Sequence, residues 1–278
     1  MSYLAGTEQT VGITVSQPPS ITLTVSPGSP WQLNQTITLA VSLQGTPPAN
    51  TNTANFYMVL QSGGGSLTIQ LGSATLQQTS PVPTYQATLQ VQLISPMSYS
   101  PAPGVTEQVP VYGPVTFYAT VGSVQSNQVS GVILIPTKFT GISVSPSTIY
   151  PNQTVTVSGT LEQLSTATYN QWVPAANQTI SYTLVNSSGT AITSGSVTTN
   201  SNGNFTITFT APSTPGSYTL DLVFAGSSSA YLAPAGLHIS FGQTSAPTKL
   251  STTDLAIIVG GLAALGGIAA YEASKRKK

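Results

Sequence analysis

The sequence predicts an all-β chain of two tandem β-sandwich domains followed by one C-terminal transmembrane helix. Three observations lead there. Apolar residues recur with a two-residue period through most of the first 242 positions. The opening of one half is echoed in the other, since Asn34-Gln35-Thr36-Ile37-Thr38-Leu39 returns as Asn152-Gln153-Thr154-Val155-Thr156-Val157, an offset of 118 residues. That spacing is a domain length, too long for a solenoid repeat. Finally, residues 255–271 carry no charge and are flanked by Asp254 and Glu272.

Residues 1–19 form an N-terminal arm or first strand. Val11, Ile13 and Val15 alternate with Thr14 and Ser16, and Pro18-Pro19 ends the pattern. The first domain is expected over 20–136, with strands near 21–25, 37–43, 54–61, 67–71, 84–94, 115–121 and 128–135. Clusters such as Gly45-Thr46-Pro47-Pro48 supply the turns. Residues 95–114 hold Pro96, Pro101, Pro103, Pro110 and Pro114, which bars them from a central strand and predicts a long surface excursion. Tyr99, Tyr112 and Pro114 make that excursion the candidate contact loop of the first domain.

The second domain is expected over 137–242, with strands around 180–184, 205–209, 218–224 and 237–241. A stalk follows at 243–253, the helix at 254–272 and a basic tail at 273–278. The 17 uncharged residues would rise about 25 Å as a helix, the lower end of what crosses a bilayer core. Leu255, Ile257, Ile258, Val259, Leu262, Leu265 and Ile268 would face lipid. Gly260 with Ala264, and Ala263 with Gly267, are small residues four apart where a second helix can approach. Lys275, Arg276, Lys277 and Lys278 suit the cytoplasmic or interior side, in contact with anionic lipid or nucleic acid. Residues 1–8 lack the basic start and apolar run of a secretory leader. The expectation is therefore a leader missing from this sequence, an inverted tail anchor, or a membrane enclosed in a particle assembled inside the cell.

The run from Asn202-Gly203-Asn204-Phe205 through Thr210-Ala211-Pro212, then Pro215-Gly216-Ser217-Tyr218 and Phe224-Ala225-Gly226, resembles the second half of bacterial and archaeal immunoglobulin-like surface repeats. The resemblance covers 140–242 well and 20–136 only through its opening motif. It implies two immunoglobulin-like sandwiches and surface display, and no shared chemistry. The whole layout resembles membrane-anchored envelope or virion proteins of thermoacidophilic archaea and their viruses.

Composition narrows the chemistry. Six basic and six acidic residues make up 4% of the chain, and residues 1–250 hold only Lys138 and Lys249 against Glu8, Glu107, Glu162 and Asp221. Such a head offers no basic field for nucleic acid. Without cysteine there are no disulfides and no thiolate metal sites. The single histidine, His238, is expected to face solvent from a strand, and a Ser/His/Asp triad would need it beside Asp221. Glu107 and Glu162 are isolated, so a glycosidase pair has no support. No catalytic, cofactor or metal site is expected. Five sequons, at Asn34, Asn152, Asn177, Asn186 and Asn204, are candidate N-glycosylation sites.

The function expected is that of a non-enzymatic structural protein, a coat, spike or vertex component of an archaeal virion linking an outer protein layer to a membrane. Its partners would be lipid, coat or envelope proteins, and further copies of itself. An archaeal cell-envelope protein, S-layer-associated or an adhesin, is the alternative. A carbohydrate-binding surface module is the second; it needs an aromatic platform, for which Trp31 and Trp172 lie near equivalent corners of the two repeats.

Overall fold

The computed structural model describes residues 18–48, 51–62, 65–79 and 84–245. Residues 1–17 of the predicted arm at 1–19, the stalk beyond 245, the helix at 254–272 and the basic tail lie outside the described residues.

In the first half, alternation becomes two facing sheets. One is built from β1 (Ser20–Ser26), β3 (Thr36–Gln44), β7 (Thr84–Gln92) and β6 (Gln77–Thr79), in the order β1-β3-β7-β6. The other runs β2 (Trp31–Gln32), β12 (Val129–Leu134), β10 (Gly113–Val121), β4 (Thr53–Ser62) and β5 (Gly65–Thr75), with β11 (Val124–Gln125) on β10. All these pairings are antiparallel except β2 with β12. This is the A-B-E-D and G-F-C-C′ order of an immunoglobulin-like sandwich. Inward residues of β3 (Ile37, Leu39, Val41, Leu43) and of β10 (Val115, Phe117, Ala119, Val121) are buried, while Thr and Ser alternate outward. Trp31 is wholly buried, edge-on to Phe117 with 5.1 Å between ring centroids, and its Nε1–H donates to the Pro27 carbonyl at 2.7 Å. Gly131 leaves room for two side chains: a Cβ there would collide with Ser29 and sit 2.5 Å from the indole.

The Pro-rich excursion folds into a separate hairpin, β8 (Met97–Ala102) with β9 (Val105–Val109), outside both main sheets. Prolines keep it out of the sheets but not out of extended pairing.

In the second half, β13 (Thr137–Ser145), β14 (Thr154–Leu164), β15 (Trp172–Pro174) and β18 (Asn204–Thr210) form one sheet around β14. β17 (Ala191–Thr198), β16 (Thr179–Asn186), β19 (Ser217–Phe224) and β20 (Ala235–Gly242) form the other, in the order β17-β16-β19-β20. At the start of β19 the Tyr218 hydroxyl donates to the Thr214 carbonyl at 2.5 Å, the tyrosine-corner bond of such sandwiches. The sandwich expectation holds in both halves.

One local device appears three times. Asn34, Asn152 and Asn177 each take a left-handed backbone (φ 67°, 60° and 57°) just before a strand. Each donates its N–H to a carbonyl (Leu93, Ala211, Thr199), and that residue's own N–H returns to the carbonyl of the following glutamine. Asparagine tolerates this backbone better than most residues because its short side chain is small and polar. Asn-Gln-Thr is thus a strand-entry signal at all three positions.

Candidate functional site

Three features beyond the cores have the geometry of function: the joint between the sandwiches, an aromatic cleft on the first, and an Asp–His pair on the second.

Only Ile135-Pro136 separates β12 from β13. The β19–β20 loop closes over this short linker. Ile135 N–H donates to the Tyr231 carbonyl, and Ala233 N–H to the Ile135 carbonyl, both at 2.8 Å. Thr137 Oγ1 donates to the Ala233 carbonyl at 2.8 Å, and Leu164 N–H to that of Pro136 at 3.0 Å. Ile135, Leu232 and Ala233 are buried. Tyr231 lies against Gly113, where a Cβ would approach its ring to 3.1 Å, and beside Tyr112 at 6.1 Å. Tyr112 therefore belongs to the joint as well as to the surface. A second tie is Ser95, 1% exposed: its hydroxyl donates to the Thr166 carbonyl at 2.8 Å and accepts from Val111 N–H at 3.0 Å. Asn34 Nδ2 donates to Asn170 Oδ1 at 3.3 Å. One contiguous hydrophobic cluster runs from Ile21 to Leu232. Backbone bonds and shared core make the joint a fused contact, unlike the loosely packed linkers that permit domain motion.

The cleft lies on the outer face of β4 and β5, bordered by the excursion hairpin. Register sets Tyr57 of β4 opposite Tyr118 of β10, and their rings stack 4.9 Å apart at 14°. Tyr57, Thr68, Gln70, Ser98, Tyr99 and Ser100 line a half-open cleft of about 370 Å³. Partial burial, then the neighbouring Tyr57, raise the Tyr118 phenol above its ordinary range, against a lowering hydrogen bond with Thr68. Gln108 Nε2 donates to Ser98 Oγ at 2.9 Å, fixing that hydroxyl.

His238 Nδ1 lies 2.6 Å from Asp221 Oδ1 across β19 and β20, with the imidazole 78% exposed. The pair a triad would need is present. Among the described residues no serine or threonine hydroxyl bonds the imidazole, and no three His, Asp or Glu side chains converge as metal ligands.

The predicted tryptophan equivalence does not hold. Trp31 is core, whereas Trp172 is 36% exposed with Lys138 Nζ 4.0 Å above its ring, and that lysine also lies 3.5 Å from Glu162. The sequons also differ. Asn152, Asn177 and Asn204 are exposed. Asn186 is half-buried, its Oδ1 accepting from Ser188 and Thr190 N–H. Asn34 turns its Nδ2, the atom a glycan would replace a hydrogen on, toward Asn170 at the joint. The anchor, helix-packing and basic-tail residues lie outside the described residues.

No protein-family model matches the sequence, and no curated protein matches it. Among solved structures, the chain is similar to the Yersinia pseudotuberculosis adhesin InvE (15% identity, 80% of this chain, 58% of that one, TM-score 0.26). It is also similar to trypsin-activated alpha-2-macroglobulin from Escherichia coli (11% identity, 81% of this chain, 15% of that one, TM-score 0.30). A third likeness is to the chicken CNTN1 FN1–FN3 domains (14% identity, 83% and 69% coverage, TM-score 0.26). The chain thus spans 58% of the adhesin and 15% of the macroglobulin. At TM-scores this low the likenesses carry no weight, and the immunoglobulin-like assignment rests on strand order and register.

Proposed function

We propose that this chain is a non-enzymatic structural protein, a stiff two-sandwich head held to a membrane by residues 254–272 with the first sandwich outermost. The observation that carries this reading is where the chain enters and leaves the head. The β19–β20 loop sits at the joint, so β20 runs away from it and ends at Gly242, beside Ser217 at the far end of the second sandwich. Gln243 and Thr244 are tied down there, by bonds to the Gly216 and Ile149 carbonyls. β1 starts opposite Gln44, away from the Asn34 end of β3 that meets the joint. The described chain therefore begins at one tip, at Pro18, and ends at the other, at Ser245, with the two sandwiches between them. Eight residues of β20 alone span about 26 Å, so the second sandwich is a spacer of that order.

On this reading the protein holds a coat or envelope layer at a fixed height above lipid. A virion component of an archaeal virus is the preferred form, because the basic tail at 275–278 suits an interior with nucleic acid or an anionic leaflet. A cell-envelope adhesin is the second form, favoured by the aromatic cleft on the outer sandwich. Vesicle flotation tests the anchor: the full chain should float with liposomes, and a chain ending at Leu250 should stay in the aqueous layer. Equal behaviour of the two would refute it. Immunogold labelling of the Ser123 turn on purified particles and on cell envelopes then separates the two forms.

A further inference from the structure

We propose that the cleft lined by Tyr57, Tyr99, Thr68, Gln70, Ser98 and Ser100 binds a neutral saccharide. This inference concerns a site on the first sandwich and stands whether or not the anchor reading holds.

The chemistry of the lining selects the ligand. The cleft carries no charged side chain. It pairs two aromatic rings with three hydroxyls and one carboxamide, which both donate and accept hydrogen bonds. A pyranose has the same dual character: a face of C–H bonds that packs on an aromatic ring, and a rim of hydroxyls that need partners. At about 370 Å³ the space is at the lower end of small-ligand sites, suited to one or two sugar rings.

The parts come from separate elements, and each is held. Tyr57 is backed on one face by Tyr118, which keeps its ring upright. Gln70 is Tyr57's register partner on β5, so its amide stands beside the ring. Ser98, Tyr99 and Ser100 come from β8 of the excursion hairpin, which borders the cleft. Glu107 is the register partner of Tyr99 and shares its side of the hairpin. Its carboxylate stands outside the lining and disfavours sialylated or sulfated sugars while tolerating neutral ones. A stacked tyrosine pair can also serve only to stabilise neighbouring strands. That role accounts for Tyr57 and Tyr118, but not for a hairpin that brings a third tyrosine and two hydroxyls to the same cleft.

The test uses the purified full chain, kept free of sugar-headed detergents, on an array of neutral gluco-, manno-, galacto- and N-acetylglucosamine oligosaccharides. Sialylated and sulfated counterparts and a proline-rich decapeptide are included. Binding of at least one neutral sugar is expected, in about the millimolar range or tighter because the cleft is open. Titration of the best one should show Tyr99→Ala and Gln70→Ala each weakened about tenfold or more, and Ser123→Ala, exposed and outside the cleft, within about twofold. Both weakened variants change exposed or half-exposed positions, so circular dichroism should match the parent. No neutral sugar bound at about 10 mM, or equal affinity in Tyr99→Ala and Gln70→Ala, overturns the proposal. So does preference for the anionic sugars, or binding of the peptide alone.

Discussion

Ser95 is one serine on which a fused joint depends. Its hydroxyl lies between two segments that belong to different sandwiches, accepting from Val111 N–H and donating to the Thr166 carbonyl. Replacing it with alanine removes both bonds and leaves a buried amide with no partner. A net hydrogen bond is worth about 1 kcal/mol, and orphaning a buried donor costs about 1–3 kcal/mol, so Ser95→Ala should destabilise the head by about 2–3 kcal/mol. For a body of this size that is a fall of about 5–10 °C in Tm. Urea and thermal denaturation followed by circular dichroism would measure it. Ser98→Ala, at an exposed hydroxyl, is the control and should stay within about 0.5 kcal/mol. A Ser95→Ala loss no larger than the control's would refute the reasoning, because the hydroxyl would then be dispensable to the joint.

Other outcomes follow from the same physics. Gly203 combines φ 71° with a position where a Cβ would meet the Leu161 carbonyl oxygen at 2.5 Å, so Gly203→Ala should cost at least about 2 kcal/mol, measurable by urea denaturation. If a glycosylating host modifies the chain, mass spectrometry should find glycans at Asn152, Asn177 or Asn204 and a bare Asn34, whose amide nitrogen is engaged at the joint.

Much of the fold was legible because buried strands write their register into the sequence. Ile37, Leu39, Val41 and Leu43, like Phe205, Ile207 and Phe209, alternate and are buried as the alternation implies. β17 was not legible, since Ala191–Thr198 is an edge strand exposed on most of its length and has no apolar face to show. The excursion hairpin was hidden by its prolines, which forbid a central strand but leave a two-stranded ribbon open. The sites were harder still. His238 could be placed on an outward face by alternation, yet its nearness to Asp221 depends on which strands pair and in what register. The same holds for the Tyr57–Tyr118 stack. Ser95 and the loop closing over Ile135 have no periodic signature at all, because a serine that bridges two sandwiches reads locally like any loop serine. The repeated Asn-Gln-Thr was a readable signal, and its third copy at 177–179 marks the entry to β16.

The stiffness of the head can be measured directly, since a chain without cysteine accepts two introduced thiols without competition. Spin labels at Ser123→Cys, in the turn after β10, and Ser188→Cys, in the turn after β16, sit on different sandwiches. Pulsed dipolar spectroscopy should return one narrow distance distribution, unchanged when the protein is taken from nanodiscs into detergent. A broad or multiple distribution would mean that the sandwiches swing about Ile135-Pro136, and the protein could not hold anything at a fixed height.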